Sequence, residues 1–243
     1  MKCPGHGGLG HGRGVKLFTL QTMKETSAGG HEAAVALSKG LGIGYGSLLA
    51  EVTEDIPLKN GTHYLLARHG RGKTTLLKTL SGLLKKVGGE YQTAGYCQFV
   101  GDDLSFDREL TPRMIFAALV PKRRRREALA MAEELELDVR KAFGKLSFGN
   151  RKKVGLVVAE FRLRNDQPNI IFYDEPFTGL DTPAREVVRR RWEATEGEVL
   201  RVVSCHPDFD DMAMPSALLI SDQRIFRGGD GGRTWADFKN LLN

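Results

Sequence analysis

The sequence predicts an α/β fold built on a parallel sheet, and three observations carry that reading. Apolar runs of strand length alternate with amphipathic stretches of helical period over most of the 243 residues. One such run, HYLLA, passes through a glycine-containing loop straight into KTTLLKTLSGLLKKV, a strand–loop–helix order. Another, NIIFYDEP, has the continuous apolar character of a buried strand and ends in two acids. In open sheets of this kind, ligands sit beyond the carboxyl ends of the strands.

The elements follow in order. Residues 1–38 are rich in Gly and His without a sustained period and read as a flexible leader, with one folded domain over 39–243. His6 and His11 read as metal ligands or as solvated residues; two lone histidines in a Gly-rich tail favour the second. AAVALSKGLGIGYG and SLLAEVTEDIPL read as two strands, with a turn at Lys59–Gly61. After the HYLLA strand and its helix, YQTAGYCQFVGDD reads as a further strand, and PRMIFAALV and RREALAMAEELEL as helices. A turn at KLSFGN precedes the helix RKKVGLVVAEFRL. Beyond NIIFYDEP come the helix REVVRRRWEAT, the strand VLRVVSCH and a last strand, SALLISDQRI.

Composition bounds the function. Hydrophobic content of 41% and charged content of 27% are those of an ordinary globular chain. No apolar run reaches eighteen residues, and the first residues lack the apolar segment of a secretory signal. Cys3, Cys97 and Cys205 are too far apart for a disulfide framework or a cysteine metal site, which points to a reducing, cytoplasmic setting. A net charge of +6 fits nucleic acid, an anionic membrane or simply a nucleotide ligand. The run Lys122–Arg126 reads as a solvated helix start or as a contact patch, since arginines at a helix N-terminus oppose its dipole.

The chemistry concentrates in three stretches. ARHGRGKTT, residues 67–75, fits the phosphate-loop pattern G-x-x-x-x-G-K-[ST] except that Ala67 stands at the first glycine. Gly70 and Gly72 let backbone amides turn inward on phosphate, beside the positive end of the next helix. Lys73 would reach the β- and γ-phosphates and the Thr74 hydroxyl would ligate Mg²⁺. In IIFYDEP, Asp174 suits a metal-holding acid at a strand end and Glu175 a general base; taken alone, two solvated acids explain them equally. In LSFGN, Ser147 and Gly149 offer a hydroxyl and amides to an anion, or merely cap the helix.

Taken together, GRGKTT, KLSFGNRKK, IIFYDEPFTGLD and VVSCHPD, in that order between about Leu41 and Ile225, resemble the nucleotide-binding subunit of an ABC transporter. The resemblance implies a P-loop NTPase-type parallel core with an antiparallel β part and a helical subdomain at about 98–160. It implies that Arg68, His69, Gly70, Arg71, Gly72, Lys73, Thr74 and Thr75 form the Walker A loop and that LSFGN is the signature. By the same resemblance, Asp174 and Glu175 are Walker B with its catalytic glutamate, Asp181 is the D-loop acid, and His206 senses the γ-phosphate. Tyr45 stands where the family stacks an aromatic on adenine, or is an ordinary strand tyrosine.

The departures are specific. Ala67 risks a backbone angle that glycine favours. Phe148 and Asn150 stand where the signature usually has Gly and Gln. Aligning FVGDD with the family's Q-loop puts Asp102 at the glutamine position, where it could approach Mg²⁺; Gln98, four residues earlier, is the alternative. The expectation is an ATP-hydrolysing transporter subunit using Mg-ATP. It pairs with a second copy or a homologous ATPase and docks on a polytopic membrane permease at the inner face of the cytoplasmic membrane. Nucleic acid is not an expected partner. The rival readings are a soluble ABC ATPase of an assembly or nucleic-acid process, and a weakly hydrolysing nucleotide-gated module.

Overall fold

A computed structural model describes residues 19–20, 34–205, 213–230, 233–239 and 241–242. Its strands are β1 (Thr19–Leu20), β2 (Ala34–Leu37), β3 (Gly42–Ile43), β4 (Ala50–Val52), β5 (Ile56–Leu58) and β6 (Gly61–Ala67) in the first part of the chain. Helix α1 (Lys73–Leu80) follows, then β7 (Tyr91–Ala94), β8 (Tyr96–Val100) and the helices α2 (Pro112–Leu119), α3 (Arg125–Glu134) and α4 (Phe148–Phe161). The remainder is β9 (Asn169–Tyr173), α5 (Thr182–Ala194), β10 (Val199–Ser204), β11 (Ser216–Ser221), β12 (Arg224–Asp230) and α6 (Trp235–Lys239).

Among the described residues, nine strands form one sheet in the order β1-β8-β9-β10-β6-β11-β12-β4-β3, and β5-β2-β7 form a second. The run β8-β9-β10-β6-β11 is parallel throughout. β9 and β10 are buried along their whole length, as strands covered on both faces must be. The small sheet is antiparallel. One apolar cluster lies between the parallel strands and the helices α2–α5. The other lies between those strands, the small sheet and α1.

Several boundaries depart from the sequence expectation: AAVALSKGLGIGYG and SLLAEVTEDIPL, each read as one strand, divide into β2 and β3 and into β4 and β5, in different sheets. The leader does not extend to residue 38, because β2 pairs on both edges, with β5 and β7, and buries Val35 and Leu37 by strict alternation. His6, His11 and Cys3 lie outside the described residues. α1 stops after eight residues, where Ser81 closes it and Gly82 takes a φ of 76°. YQTAGYCQFVGDD is two strands in two sheets, parted at Gly95, whose Cβ would lie 2.8 Å from the Pro168 carbonyl oxygen. SALLISDQRI opens a hairpin, β11–β12, turning through Asp222 and Gln223 with φ of 49° and 61°.

A buried ion pair ties the helical layer to the sheet. Glu160 of α4 and Arg201 of β10 are both fully buried and meet at 2.7 Å. Glu160 also accepts hydrogen bonds from the Tyr173 hydroxyl at 2.7 Å and the Trp192 indole at 2.8 Å. Burial alone would raise the Glu160 pKa, but the charge and hydrogen bonds of Arg201, with help from Tyr173 and Arg191, hold its carboxyl below the usual range.

Candidate functional site

Parallel strands β6, β8, β9 and β10 end on one edge of the sheet, and their carboxyl ends carry the site. β6 ends at Ala67, β8 leads to Gly101 and Asp102, β9 leads to Asp174, and β10 ends at Ser204. Ala67 is buried and pairs with Ile220 as ordinary strand backbone; it is absent from the residues with positive φ. The position that lacks glycine therefore needs none. The conformational freedom falls instead on Gly70 and Gly72, with φ of 72° and 107°. A Cβ on Gly70 would meet open space, whereas one on Gly72 would press at 3.1 Å on Leu49.

The loop closes over its own strand. Lys73, buried at the start of α1, hydrogen-bonds the Ala67 carbonyl at 3.3 Å and lies 3.8 Å from a Glu175 carboxylate oxygen. Arg68 donates to the Leu242 carbonyl at 2.6 Å, while His69 and Arg71 are exposed beside Gly70. Thr75 is buried, and its carbonyl accepts from the Thr79 hydroxyl one helical turn on. Thr74 donates its hydroxyl proton to Asp174 at 2.7 Å. Ser204 donates to the other Asp174 oxygen at 2.7 Å, and the Glu175 amide donates to Ser204 at 2.8 Å. One hydrogen-bonded run thus links the loop, β9 and β10.

That hydroxyl and carboxylate are hard oxygen donors of the kind Mg²⁺ takes when phosphate and water complete its shell. No group of three or more His, Cys, Asp and Glu gathers among the described residues, so a self-contained metal cage is not built there. Asp102, expected as a further metal ligand, is paired instead with Lys152 at 2.7 Å. Gln98, the alternative Q-loop residue, is buried within β8 and donates to the Ala159 carbonyl at 3.2 Å, so it is held away from the edge. His206 lies outside the described residues, two positions after Ser204 in sequence.

Tyr45 sits in the β3–β4 loop with 66% of its surface exposed, and the same loop brings Leu49 against Gly72. Ser147 caps α4, its hydroxyl accepting from the Asn150 amide at 3.2 Å, which leaves the hydroxyl proton free to donate. Helix α4 begins one residue later, at Phe148, earlier than the turn read from sequence. Gly149 is fixed by space: its Cβ would lie 2.4 Å from the Gly179 carbonyl oxygen. Asp181 caps α5, accepting from the Ala184 amide at 2.9 Å.

Sequence reasoning missed Ser204 and Lys152. A serine ending an otherwise apolar strand was the available signal for the first. Lys152 stands one turn beyond Phe148 in a helix whose first turn carries no acid, the available signal for the second.

Residues 55–178 match the family model described as ABC transporter. The chain is 30% identical over 177 residues to the daunorubicin resistance ATP-binding protein DrrA3 of Streptomyces coeruleorubidus, covering 64% of this chain and 54% of that protein. It is 28% identical over 223 residues to the sulfate/thiosulfate import ATP-binding protein CysA of Yersinia pestis, covering 78% and 58%. The chain thus spans about half the length of the curated relatives it matches. A solved structure titled as the ATP binding subunit of an ABC transporter superposes with a TM-score of 0.63 at 20% identity, over 86% of this chain and 92% of that one.

Proposed function

This chain belongs to the ABC transporter family, and on that premise we propose that it is an ATP-binding and ATP-hydrolysing subunit that powers transport through a separate polytopic membrane permease. The observation that carries the proposal is the hydrogen-bonded run from Thr74 through Asp174 and Ser204 to the Glu175 amide. It supports the reading because it joins the β6–α1 loop, two hard oxygen donors and a second carboxylate at one sheet edge. The domain proposed for this work is residues 39–243 together with β2, with the helices between about 98 and 160 facing the permease.

In the proposed reaction, amides of the loop at Gly70 and Gly72 cradle phosphate, with Arg68, His69 and Arg71 around them. Lys73 turns from the Ala67 carbonyl to the β- and γ-phosphates. Thr74 and Asp174 would hold Mg²⁺, with Ser204 orienting the carboxylate; when bound, the ion neutralises charge developing on the phosphates. Glu175 orients the attacking water and accepts its proton, and His206 meets the γ-phosphate. Ser147 and Gly149 of a second copy, or of a homologous ATPase, close over the nucleotide, with Asp181 at the seam. Most of the catalysis is positioning and preorganised charge.

Of the features that favoured a weakly hydrolysing module, Ala67 loses its force, since its backbone is that of a plain strand. No helix among the described residues is long and apolar enough to cross a membrane; in the proposed reading, the permease supplies the crossing segments. We place the subunit on the inner face of that membrane.

Lys73→Ala is expected to weaken ATP binding by roughly ten- to a hundredfold, because a charge-assisted contact to phosphate is worth about 1.5–3 kcal/mol. Titration with a fluorescent ATP analogue checks this; unchanged affinity contradicts the phosphate-loop assignment. Tyr45→Ala is expected to weaken ATP binding by about 1 kcal/mol while leaving inorganic triphosphate unaffected, since only a base can stack on the ring. Equal affinities before and after substitution return Tyr45 to an ordinary exposed loop residue.

A further inference from the structure

Glu175 has a backbone conformation that needs support. Its φ is 50°, the left-handed region that a side chain longer than Asn or Asp rarely adopts. Such a residue carries roughly 1–3 kcal/mol of strain and persists only where its surroundings over-determine it. Three bonds do so. The Glu175 amide donates to Ser204 at 2.8 Å, and the Glu175 carbonyl accepts from the Thr178 amide at 3.3 Å and from the Lys152 ammonium at 2.7 Å. The same ammonium meets the Asp102 carboxylate at 2.7 Å and lies 5.2 Å from the centre of the Phe148 ring, one helical turn back.

Lys152 is not placed there by local preference. It follows Arg151 and precedes Lys153 near the N-terminal end of α4, where the helix dipole disfavours cations and the first turn holds no acid. Its side chain is only 11% exposed, whereas Asp102 is 61% exposed on the loop after β8. The geometry therefore has one largely buried cation joining three separate pieces: the exposed loop, the first turn of α4, and the peptide that aims Glu175.

We infer that Lys152 is a positioning residue that couples the loop at Asp102 to the aim of Glu175. The inference rests on the proposed role of Glu175 in hydrolysis. While Asp102 holds the ammonium, the ammonium holds the Glu175 carbonyl, and the carboxylate keeps its direction toward the γ-phosphate. A displacement of the Asp102 loop pulls on Lys152 and releases the strained peptide, which lowers turnover without touching the phosphate loop.

The test is steady-state hydrolysis of Mg-ATP by the full chain, with affinity for a fluorescent ATP analogue measured alongside. Lys152→Met removes one of the three supporting bonds and is expected to lower kcat by roughly tenfold, within the rate equivalent of the strain, with affinity within about twofold. Lys152→Arg, which can still reach both oxygens, is expected to recover part of that loss. Asp102→Asn is expected to lower kcat severalfold at unchanged affinity, and to add nothing when Lys152 is already Met. Asp102 is an exposed loop residue, so Asp102→Asn retains the fold and carries the test by itself if Lys152→Met does not fold. Wild-type kcat in either single variant, or full additivity in the double variant, overturns the inference alone. A wild-type chain that binds Mg-ATP but never hydrolyses it overturns the hydrolysis reading, and this inference with it.

Discussion

Glu175→Gln is expected to cut ATP hydrolysis by roughly 10²–10⁴-fold, the usual contribution of a general base, while Mg-ATP binds about as well as before. The substitution keeps side-chain size and leaves the backbone bonds of residue 175 in place, from its amide to Ser204 and to its carbonyl from Lys152 and the Thr178 amide. It removes only the carboxylate that lies 3.8 Å from Lys73. Losing that negative charge beside a phosphate site favours the nucleotide slightly, so affinity is expected to hold or rise. Phosphate release under saturating Mg-ATP gives the rate, and the fluorescent analogue gives the affinity. Equal rates for the variant and the wild type would remove Glu175 from the chemistry.

Arg201→Met is expected to cost about 3–5 kcal/mol, enough to unfold a domain of ordinary stability, because it leaves the buried Glu160 charge with only the more distant Arg191, at 3.9 Å, in place of its close partner. The methionine chain fills similar space, so packing loss is a minor part. Acid dependence separates this from a cavity effect. Glu160 has a depressed folded pKa, so its stabilising contribution is present above the unfolded value and disappears as pH falls through the folded one. The gap between wild type and Arg201→Met should therefore narrow in acid. Urea unfolding at neutral and acid pH measures it. The pair Glu160→Leu with Arg201→Met should lose less than Arg201→Met alone, because no charge is left buried. A gap that stays constant with pH contradicts this account.

Much of the parallel core was legible from sequence because its signals are local. β6, β9 and β10 are apolar runs of strand length, and a strand buried on both faces can hardly be written otherwise. The loop after β6 was legible because Gly72, Lys73 and Thr74 are contiguous. The boundaries that were missed depend on groups distant in sequence. Gly95 parts two strands because the Pro168 backbone crosses there, and nothing near Gly95 announces it. The β11–β12 turn was hidden because Asp222 and Gln223 take positive φ without the glycine that normally marks it.

In the site the same division holds. Thr74, Asp174 and Glu175 belong to stretches with recognisable spacing, and the first two meet across 100 residues of sequence at 2.7 Å. Ser204 and Lys152 belong to no such pattern. Each matters through a backbone or second carboxylate brought to it by the fold, as Lys152 is by Asp102 and the Glu175 carbonyl. The sequence concern over Ala67 was also a question of backbone angle, and only the strand geometry answers it.

The central claim is that this chain binds Mg-ATP at the β6–α1 loop and closes head-to-tail on a second copy through Ser147 and Gly149. The most direct measurement is titration of the Glu175→Gln chain with Mg-ATP, followed by its mass in solution with and without nucleotide. The account predicts one ATP per chain, a doubling of mass that requires Mg-ATP, and loss of the doubling, with ATP still bound, when Ser147 is also replaced by a bulky residue. A chain that binds no ATP, or a doubling indifferent both to nucleotide and to Ser147, contradicts it.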